Sequence, residues 1–412
     1  MCAANTKIIE LYSLDPDEEP EISIVMPCLN EEKTIGICIE KAQAALRDSG
    51  LCGEIIVSDN GSTDRSVEIC RRYGVRVVHQ SRRGYGNAYL KGIAAARGRY
   101  IVMADSDNTY DLTEISQFVE PLRSGAELVM GNRFAGRILP GAMTWSHRYI
   151  GNPVLSALMR LMFGTTVGDS HSGIRAFTRE AYQKMELRAP GMEFASEMVI
   201  NAAKIGLKVV EVPITYYPRE GESKLRTFRD GWRHLRYMLL RSPTYLFTLP
   251  GLVLLLVGVA ALVPFLFGPV TVAGRSFDIH AMFLIGMGAL AGYQLLTMGL
   301  FARLLAAREG IGAEDYLLRV LRRTFTLERG ILAGLALLAI GGALGGLVMA
   351  KWLATDFGAL SLADTRVAFV GFIGVILGIQ TIFASFYLIC VLGIHAVDRD
   401  AGQATDDATT DR

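Results

Sequence analysis

Three things are scarce in this 412-residue sequence: cysteine, net charge, and ionisable residues inside its longest apolar runs. The six cysteines (Cys2, Cys28, Cys38, Cys52, Cys70 and Cys390) form no C-x-x-C pair and no metal-ligand spacing, which excludes a zinc module. Five of them fall in the N-terminal half and read as reduced thiols rather than a disulfide framework. A formal charge of +1 leaves no global basic field, so no nucleic-acid partner is expected. The opening stretch, MCAANTKIIELYSLDPDEEP, has no apolar core of the secretory kind, so no cleaved signal peptide is expected and residues 1–20 read as a mobile acidic leader. The apolar runs carry no acidic or basic residue deep inside them, which argues against a proton or ion pathway.

What the sequence does have is apolar length. Hydrophobic residues make up 51% of the chain, mean hydropathy is +0.30, and nearly all of the excess lies after residue 245. Four runs, roughly 246–267, 279–301, 330–350 and 367–394, each reach the length of about twenty residues that crosses a bilayer. Arg229 to Arg241 precede the first run, and Arg303, Arg308, Arg319, Arg322, Arg323 and Arg329 lie between the second and third. Segment 268–278 has only Arg275, and 351–365 only Lys351. Positive charge therefore predicts a multi-pass cell-membrane protein with both termini and its N-terminal half on the cytoplasmic side.

Before these runs, strands alternate with helices. Ile22–Pro27, Glu54–Ser58, Val75–His79 and the stretch ending at Asp105 read as strands, with helices at about 30–47, 66–73 and 88–96 between them. Such alternation predicts a mostly parallel α/β sheet with helices on both faces. Its centre is Ile101-Val102-Met103-Ala104-Asp105-Ser106-Asp107. Two carboxylates follow a short buried strand, at the end where ligands bind in open α/β sheets. Residues i and i+2 of extended chain point the same way. Two hard oxygen ligands on one side suit Mg²⁺ or Mn²⁺ together with a diphosphate, and a polar turn would use the same residues. Pro27, Asn30 and Glu31 after the first strand, and Asp59 after the second, are placed to meet a nucleotide. Helix capping would equally explain Asn30 and Glu31, and an Asx-turn Asp59. Gly84-Tyr85-Gly86 is not G-x-G-x-x-G and does not directly follow a strand, so it gives no dinucleotide fingerprint.

Further along, Glu127–Gly131 reads as a strand followed by Asn132-Arg133, and Val209–Val212 as a strand closed by Pro213. Thr144–Phe163 mixes apolar residues with His147, Arg148, Asn152 and Arg160, and fits either a core helix or one lying on a membrane surface. Asp169–Arg175 reads as a polar loop, and Glu193 and Glu197 share one face of a helix from about Phe194 to Ile205. Arg226, Arg229, Arg233, Arg236 and Arg241 interleave with Phe228, Trp232, Leu235, Tyr237 and Met238, as in an amphipathic helix with a basic face toward an anionic bilayer. The expected organisation is a leader at 1–20, an α/β domain at 21–225, a juxtamembrane helix at 226–243, a four-helix transmembrane domain at 244–396 and a mobile tail at 397–412.

Met26-Pro27-Cys28-Leu29-Asn30-Glu31-Glu32, Ser58-Asp59-Asn60-Gly61-Ser62-Thr63-Asp64 and Asp105-Ser106-Asp107 resemble the nucleotide-binding motifs of glycosyltransferase family 2, whose catalytic domain has the Rossmann-like GT-A fold. Gly131-Asn132-Arg133-Phe134, Ser172-Gly173-Ile174-Arg175 and Gly221-Glu222-Ser223-Lys224 narrow the resemblance to the polyprenyl-phosphate branch, which includes dolichol-phosphate mannosyltransferases and bacterial polyprenyl-phosphate glucosyltransferases. The resemblance covers roughly residues 20–241. It implies a membrane-bound, inverting transfer of a hexose from a UDP- or GDP-sugar to polyprenyl phosphate, with UDP-glucose as the leading donor and GDP-mannose as the alternative. By the same resemblance, Pro27, Asn30, Glu31, Asp59, Asp105 and Ser106 would bind the nucleotide sugar, and Asp105 and Asp107 would hold Mg or Mn. Asp107, Arg133 and Arg175 would be catalytic. Arg133, Ser172, Arg175, Ser223 and Lys224 would meet the acceptor phosphate, the last two from a closing loop. A homo-oligomer is left open. Two positions depart from the pattern: Asn60 stands where the family usually has a second Asp, and Thr109 where related mannosyltransferases have Gln.

Other readings fit less well. A processive polysaccharide synthase would carry Gln-x-x-Arg-Trp near the membrane, and the nearest text here is Arg229-Asp230-Gly231-Trp232-Arg233. A sugar nucleotidyltransferase needs a Gly-rich basic opening, which Pro27-Cys28-Leu29-Asn30 is not. A catalytically inactive domain on a transport or scaffold module would have lost the Asp pair or the acceptor arginines, and all are present. A phosphate acceptor is already ionised and needs less general-base help than a sugar hydroxyl. Asp169, Glu193 and Glu197 stand as base candidates, with partnership to an arginine as the other reading of Glu197.

Overall fold

The computed structural model describes residues 19–220, 227–308 and 316–392. Most of the expected leader, the expected tail, and Ser223 and Lys224 lie outside these residues. The chain divides into two units, Met1–Arg241 and Ser242–Arg412.

In the first unit seven strands form one sheet: β1 (Ile22–Cys28), β2 (Gly53–Asp59), β3 (Arg76–His79), β4 (Tyr100–Met103), β5 (Leu128–Ile138), β6 (Arg175–Thr178) and β7 (Val209–Tyr216). Their order is β3-β2-β1-β4-β6-β5-β7. Strands β1 to β4 pair in parallel, as do β5 and β7, while β6 runs antiparallel to both of its neighbours. The helices are α1 (Ile35–Asp48), α2 (Ser66–Arg72), α3 (Tyr85–Ala95), α4 (Ser116–Arg123), α5 (Asn152–Phe163), α6 (Arg179–Met185), α7 (Phe194–Lys204) and α8 (Thr227–Arg241). The central strands are apolar throughout because both faces are covered. Alternate residues of β1 go to opposite layers: Ile24 and Met26 pack with Ile35 and Ile39 of α1, whereas Val25 packs with Tyr89 and Ile93 of α3.

Several boundaries differ from expectation. The first helix begins at Ile35 rather than at Asn30, because Asn30 adopts φ +54° in a turn. Helix α3 starts a turn early, at Tyr85. There Gly84 and Gly86 lie so close to the backbone of Ala189 and Pro190 that a Cβ would fall within 2.2 Å of a carbonyl oxygen. Strand β6 had no periodic signal: its four residues begin inside what read as a polar loop. Pro213 does not close its strand, because β7 is at the sheet edge, where a missing N–H is tolerated.

The second unit holds α9 (Leu249–Phe267), a short hairpin of β8 (Val270–Val272) and β9 (Arg275–Phe277), α10 (Ile279–Arg308), α11 (Tyr316–Thr324), α12 (Leu327–Ala354) and α13 (Leu362–Leu392). Four helical stretches, Thr244–Phe267, Ile279–Arg308, Leu327–Ala354 and Leu362–Val391, are long and apolar enough to cross a membrane. Helices α12 and α13 approach closely where Gly341 meets the backbone of Gly371 and Val375, the contact that small residues permit between membrane helices.

Candidate active site

Parallel pairing brings the C-terminal ends of β1, β2 and β4 together, and three turns meet there. Just past β4, the Ala104 amide donates to the Val25 carbonyl. Ser106 Oγ donates to the Pro27 carbonyl at 2.6 Å, and Thr34 Oγ1 donates to the Ser106 carbonyl at 2.7 Å. Ser106 thus stitches two strand ends, which fixes where its neighbours Asp105 and Asp107 stand. Asp105 Oδ1 accepts from the hydroxyls of Tyr85 (3.0 Å) and Tyr89 (3.1 Å), both on α3. Burial, then the Asp105 charge, raises both phenols well above their usual range, so both remain donors. On the other side Gly173 packs so tightly that a Cβ there would lie 2.2 Å from Asp105 Oδ2.

Asp107 Oδ1 accepts from the Thr109 hydroxyl at 2.6 Å and from the Thr109 amide at 3.2 Å. Thr109 therefore orients the second carboxylate. Asp107 Oδ2 faces the Arg219 guanidinium at 3.3 Å, and the same guanidinium reaches Glu31 Oε1 at 2.9 Å. Burial first and the Asp107 charge second push the Asp105 carboxyl up to about 6. In each carboxylate Oδ1 takes the hydroxyl donors, a donor set that fits a divalent ion completed by water and phosphate oxygens. Among the described residues no cluster of three or more His, Cys, Asp or Glu side chains forms.

The turns after β1 and β2 are laced to one another. Asn30 Oδ1 accepts from the Thr63 amide at 2.7 Å, the Asn30 amide donates to Ser62 Oγ, and the Glu31 amide donates to Ser66 Oγ. Asn30 thus binds the neighbouring turn instead of capping α1. Asp59 accepts from the amides of Gly61 and Ser62 and lies 3.1 Å from His79 Nδ1. Burial would raise its pKa, but the Ser62, His79 and Gly61 hydrogen bonds outweigh it and hold the carboxyl below its usual value. Asn60 is buried; its amide nitrogen donates to the Gln80 and Arg82 carbonyls, and its oxygen accepts from the Gly84 amide. A carboxylate could not make the two donations. Asn60 therefore straps the 80–84 loop that leads into α3.

The other expected site residues are deeper. Arg133 is 6% exposed and Asp169 fully buried. They form a two-pronged pair, Nε to Oδ2 at 2.7 Å and a terminal nitrogen to Oδ1 at 2.8 Å, with the guanidinium over the Tyr216 ring. Arg175 is fully buried and donates to the carbonyls of Ser172, Ala195 and Ser170. Neither guanidinium lies open beside the Asp pair; Arg175 holds the 170–173 loop whose Gly173 packs on Asp105. The Ser172 hydroxyl is buried without a hydrogen-bond partner among the described residues. Glu197 accepts from the amides of Arg188 and Ala189 and from the Tyr237 hydroxyl, and lies 3.5 Å from Arg241. It ties α7 to α8, and its carboxylate has no free side for base catalysis. Glu193 accepts from the Gly191 amide. Sequence reasoning missed Tyr85, Tyr89, Gly173 and Arg219, because each reaches the Asp pair across the fold, with no local spacing to mark it.

Residues 23–186 match the family described as Glycosyl transferase family 2, and residues 300–391 match the Glycosyltransferase family 2 C-terminal transmembrane region. The chain is 43% identical over 379 residues to a low-salt glycan biosynthesis hexosyltransferase of Haloferax volcanii, covering 92% of this chain and 91% of that protein. It is 32% identical over 212 residues to a dolichyl-phosphate hexose transferase of the same organism, covering 51% of this chain and 89% of the other. A glucosyl-3-phosphoglycerate synthase from Mycobacterium tuberculosis, solved with Mn²⁺, UDP-glucose and phosphoglyceric acid, aligns with a TM-score of 0.45 at 25% identity over 53% of this chain and 79% of that one.

Proposed function

Because the chain belongs to glycosyltransferase family 2, we propose that it moves a hexose from a nucleotide sugar to the phosphate of a polyprenyl lipid. The observation that carries this reading is the pair Asp105 and Asp107, held at the meeting point of the three strand ends and aimed by hydroxyl donors. The turns carrying Pro27, Asn30, Glu31 and Asp59 are fixed beside it and form the nucleotide side. A Mg or Mn ion held by Asp105 and Asp107 would neutralise the charge of the leaving diphosphate.

A phosphate acceptor fits the engagement of two of the three base candidates. Asp169 is occupied by Arg133 and Glu197 by backbone amides, Tyr237 and Arg241. Arg133, paired with Asp169, is the guanidinium that would meet the acceptor phosphate. Arg175 contributes by holding the 170–173 loop. In-line attack on the anomeric carbon inverts it, giving a β-linked product from an α-linked donor. UDP-glucose is the leading donor and GDP-mannose the alternative.

The lipid side has support within the first unit. Trp145, Tyr149, Ile150, Val154 and Leu161, in and just before α5, are exposed, as are Trp232 and Leu240 of α8. Leu155, Leu158 and Met162 of α5 and Leu235 and Met238 of α8 share one core cluster. Helix α8 ends three residues before the first membrane stretch. Aromatic and aliphatic residues interleaved with arginine suit a bilayer surface. Arginine placement supports a cytoplasmic orientation for this unit.

Transfer of radiolabelled sugar into organic-extractable lipid tests the assignment. Asp107→Ala abolishes transfer, whereas Glu197→Gln retains a measurable rate in protein that is still folded. Equal loss in both variants would overturn these roles.

A further inference from the structure

Arg219 belonged to no expected site, yet it is a cation that contacts the carboxylate cluster. Its two terminal nitrogens bridge Asp107 Oδ2 (3.3 Å) and Glu31 Oε1 (2.9 Å). The oxygen it takes on Asp107 is the one that Thr109 leaves. Its position is built into the fold. The Tyr217 amide donates to the Thr109 carbonyl at 3.0 Å, and Tyr110 pairs with Tyr216, so the chain bearing Arg219 is hydrogen-bonded to the loop bearing Asp107. Asn108 Nδ2 donates to Glu220 Oε1 at 3.3 Å, a second link between the same two segments. The hold is also incomplete: Arg219 Nε is buried without a hydrogen-bond partner among the described residues. Among the described residues the guanidinium is thus held through two of its three nitrogens.

We propose that Arg219 is the resting counter-cation of the carboxylate site, displaced from Asp107 when a divalent ion binds and then free to take a phosphate oxygen of the nucleotide. The proposal rests on reading Asp105 and Asp107 as the metal site. Arg219 and a divalent ion compete for Asp107 Oδ2, and two cations side by side repel. The arriving diphosphate supplies the anion that the guanidinium loses, and its oxygens match the fork better than a single carboxylate oxygen does. Metal entry, nucleotide entry and the position of the 217–220 segment become one linked event. Apparent metal affinity without nucleotide is lowered by the fraction of protein in which the latch is shut. A partly exposed pair of this kind predicts a handicap of up to about five-fold.

The test is Mn²⁺ binding to the full chain in nanodiscs, followed by the electron paramagnetic resonance of free Mn²⁺, with and without UDP. Without UDP, Arg219→Gln binds Mn²⁺ up to about five-fold more tightly than wild type, Arg219→Lys stays near wild type, and Asp107→Asn loses binding. With UDP the order reverses, because Arg219→Gln has lost the phosphate partner. A gain in affinity cannot come from misfolding. If Arg219→Gln binds Mn²⁺ no more tightly while Asp107→Asn still loses it, the latch is refuted and the metal site stands. An equal change with and without UDP refutes the hand-over to phosphate. No saturable Mn²⁺ binding by wild type in either condition overturns the metal reading and the latch with it.

Discussion

Asp169→Asn removes one charge from a pair that water does not reach. Arg133 is 6% exposed and Asp169 0%, so solvent screening gives little relief. The carboxylate accepts from the guanidinium at 2.7 and 2.8 Å and from the Arg133 amide at 3.1 Å. Burial by itself would lower the Arg133 pKa, but Asp169 more than compensates and raises it. Asn keeps the size and one acceptor oxygen, but leaves the guanidinium as an uncompensated buried charge. Breaking a buried pair in this way costs roughly 3–5 kcal/mol. The double variant Arg133→Gln/Asp169→Asn replaces the ion pair with two amides and still offers an acceptor to the backbone amide. It should lie within about 1–2 kcal/mol of wild type. Denaturant unfolding followed by emission of Trp145 and Trp232, which lie in the first unit, measures both. A loss below about 0.5 kcal/mol in Asp169→Asn would refute the reasoning. Transfer by the double variant separates two roles: recovery marks the pair as purely structural, and silence at full stability marks Arg133 as a contact of the acceptor phosphate.

Two further outcomes follow from the same geometry. Gly173→Ala places a methyl group 2.2 Å from Asp105 Oδ2; it should cost about 1–3 kcal/mol in stability and remove Mn²⁺ binding, and unchanged binding would show that the contact does not set Asp105. Burial holds His171 well below its usual pKa and lowers His234 to about 4, and the two rings meet edge to face at 4.5 Å. The unfolded chain gains these protons near pH 6.5 while the folded one does not, so stability falls as pH drops from about 6.5 toward about 4. His234→Gln should flatten that slope in a thermal-unfolding series across this range.

Legibility of the sequence tracked the range of the interactions. Apolar strands β1, β2 and β4 and the four membrane-length helices are written in local hydrophobic pattern, and they emerged close to where expected. Strand β6 is four residues long and begins with Arg175, so no periodicity announces it; its partners β4 and β5 create it. At the site, Asp105 and Asp107 were visible because i and i+2 carboxylates follow a strand. Their supports were not: Tyr85, Tyr89, Gly173 and Arg219 are brought in by α3, by the loop before β6 and by the segment after β7. Arg133 and Arg175 were legible as charges but not as engaged ones. A sequence shows that an arginine is present, and only packing shows that its nitrogens are already engaged.

The most direct test of the central claim is sugar transfer by the purified protein in nanodiscs. A panel of labelled UDP- and GDP-hexoses is offered with a polyprenyl phosphate and Mg²⁺ or Mn²⁺. The account predicts a lipid-linked product from one donor, lost on chelation and absent in Asp107→Ala. No lipid product from any donor, with the protein folded and membrane-inserted, would contradict it.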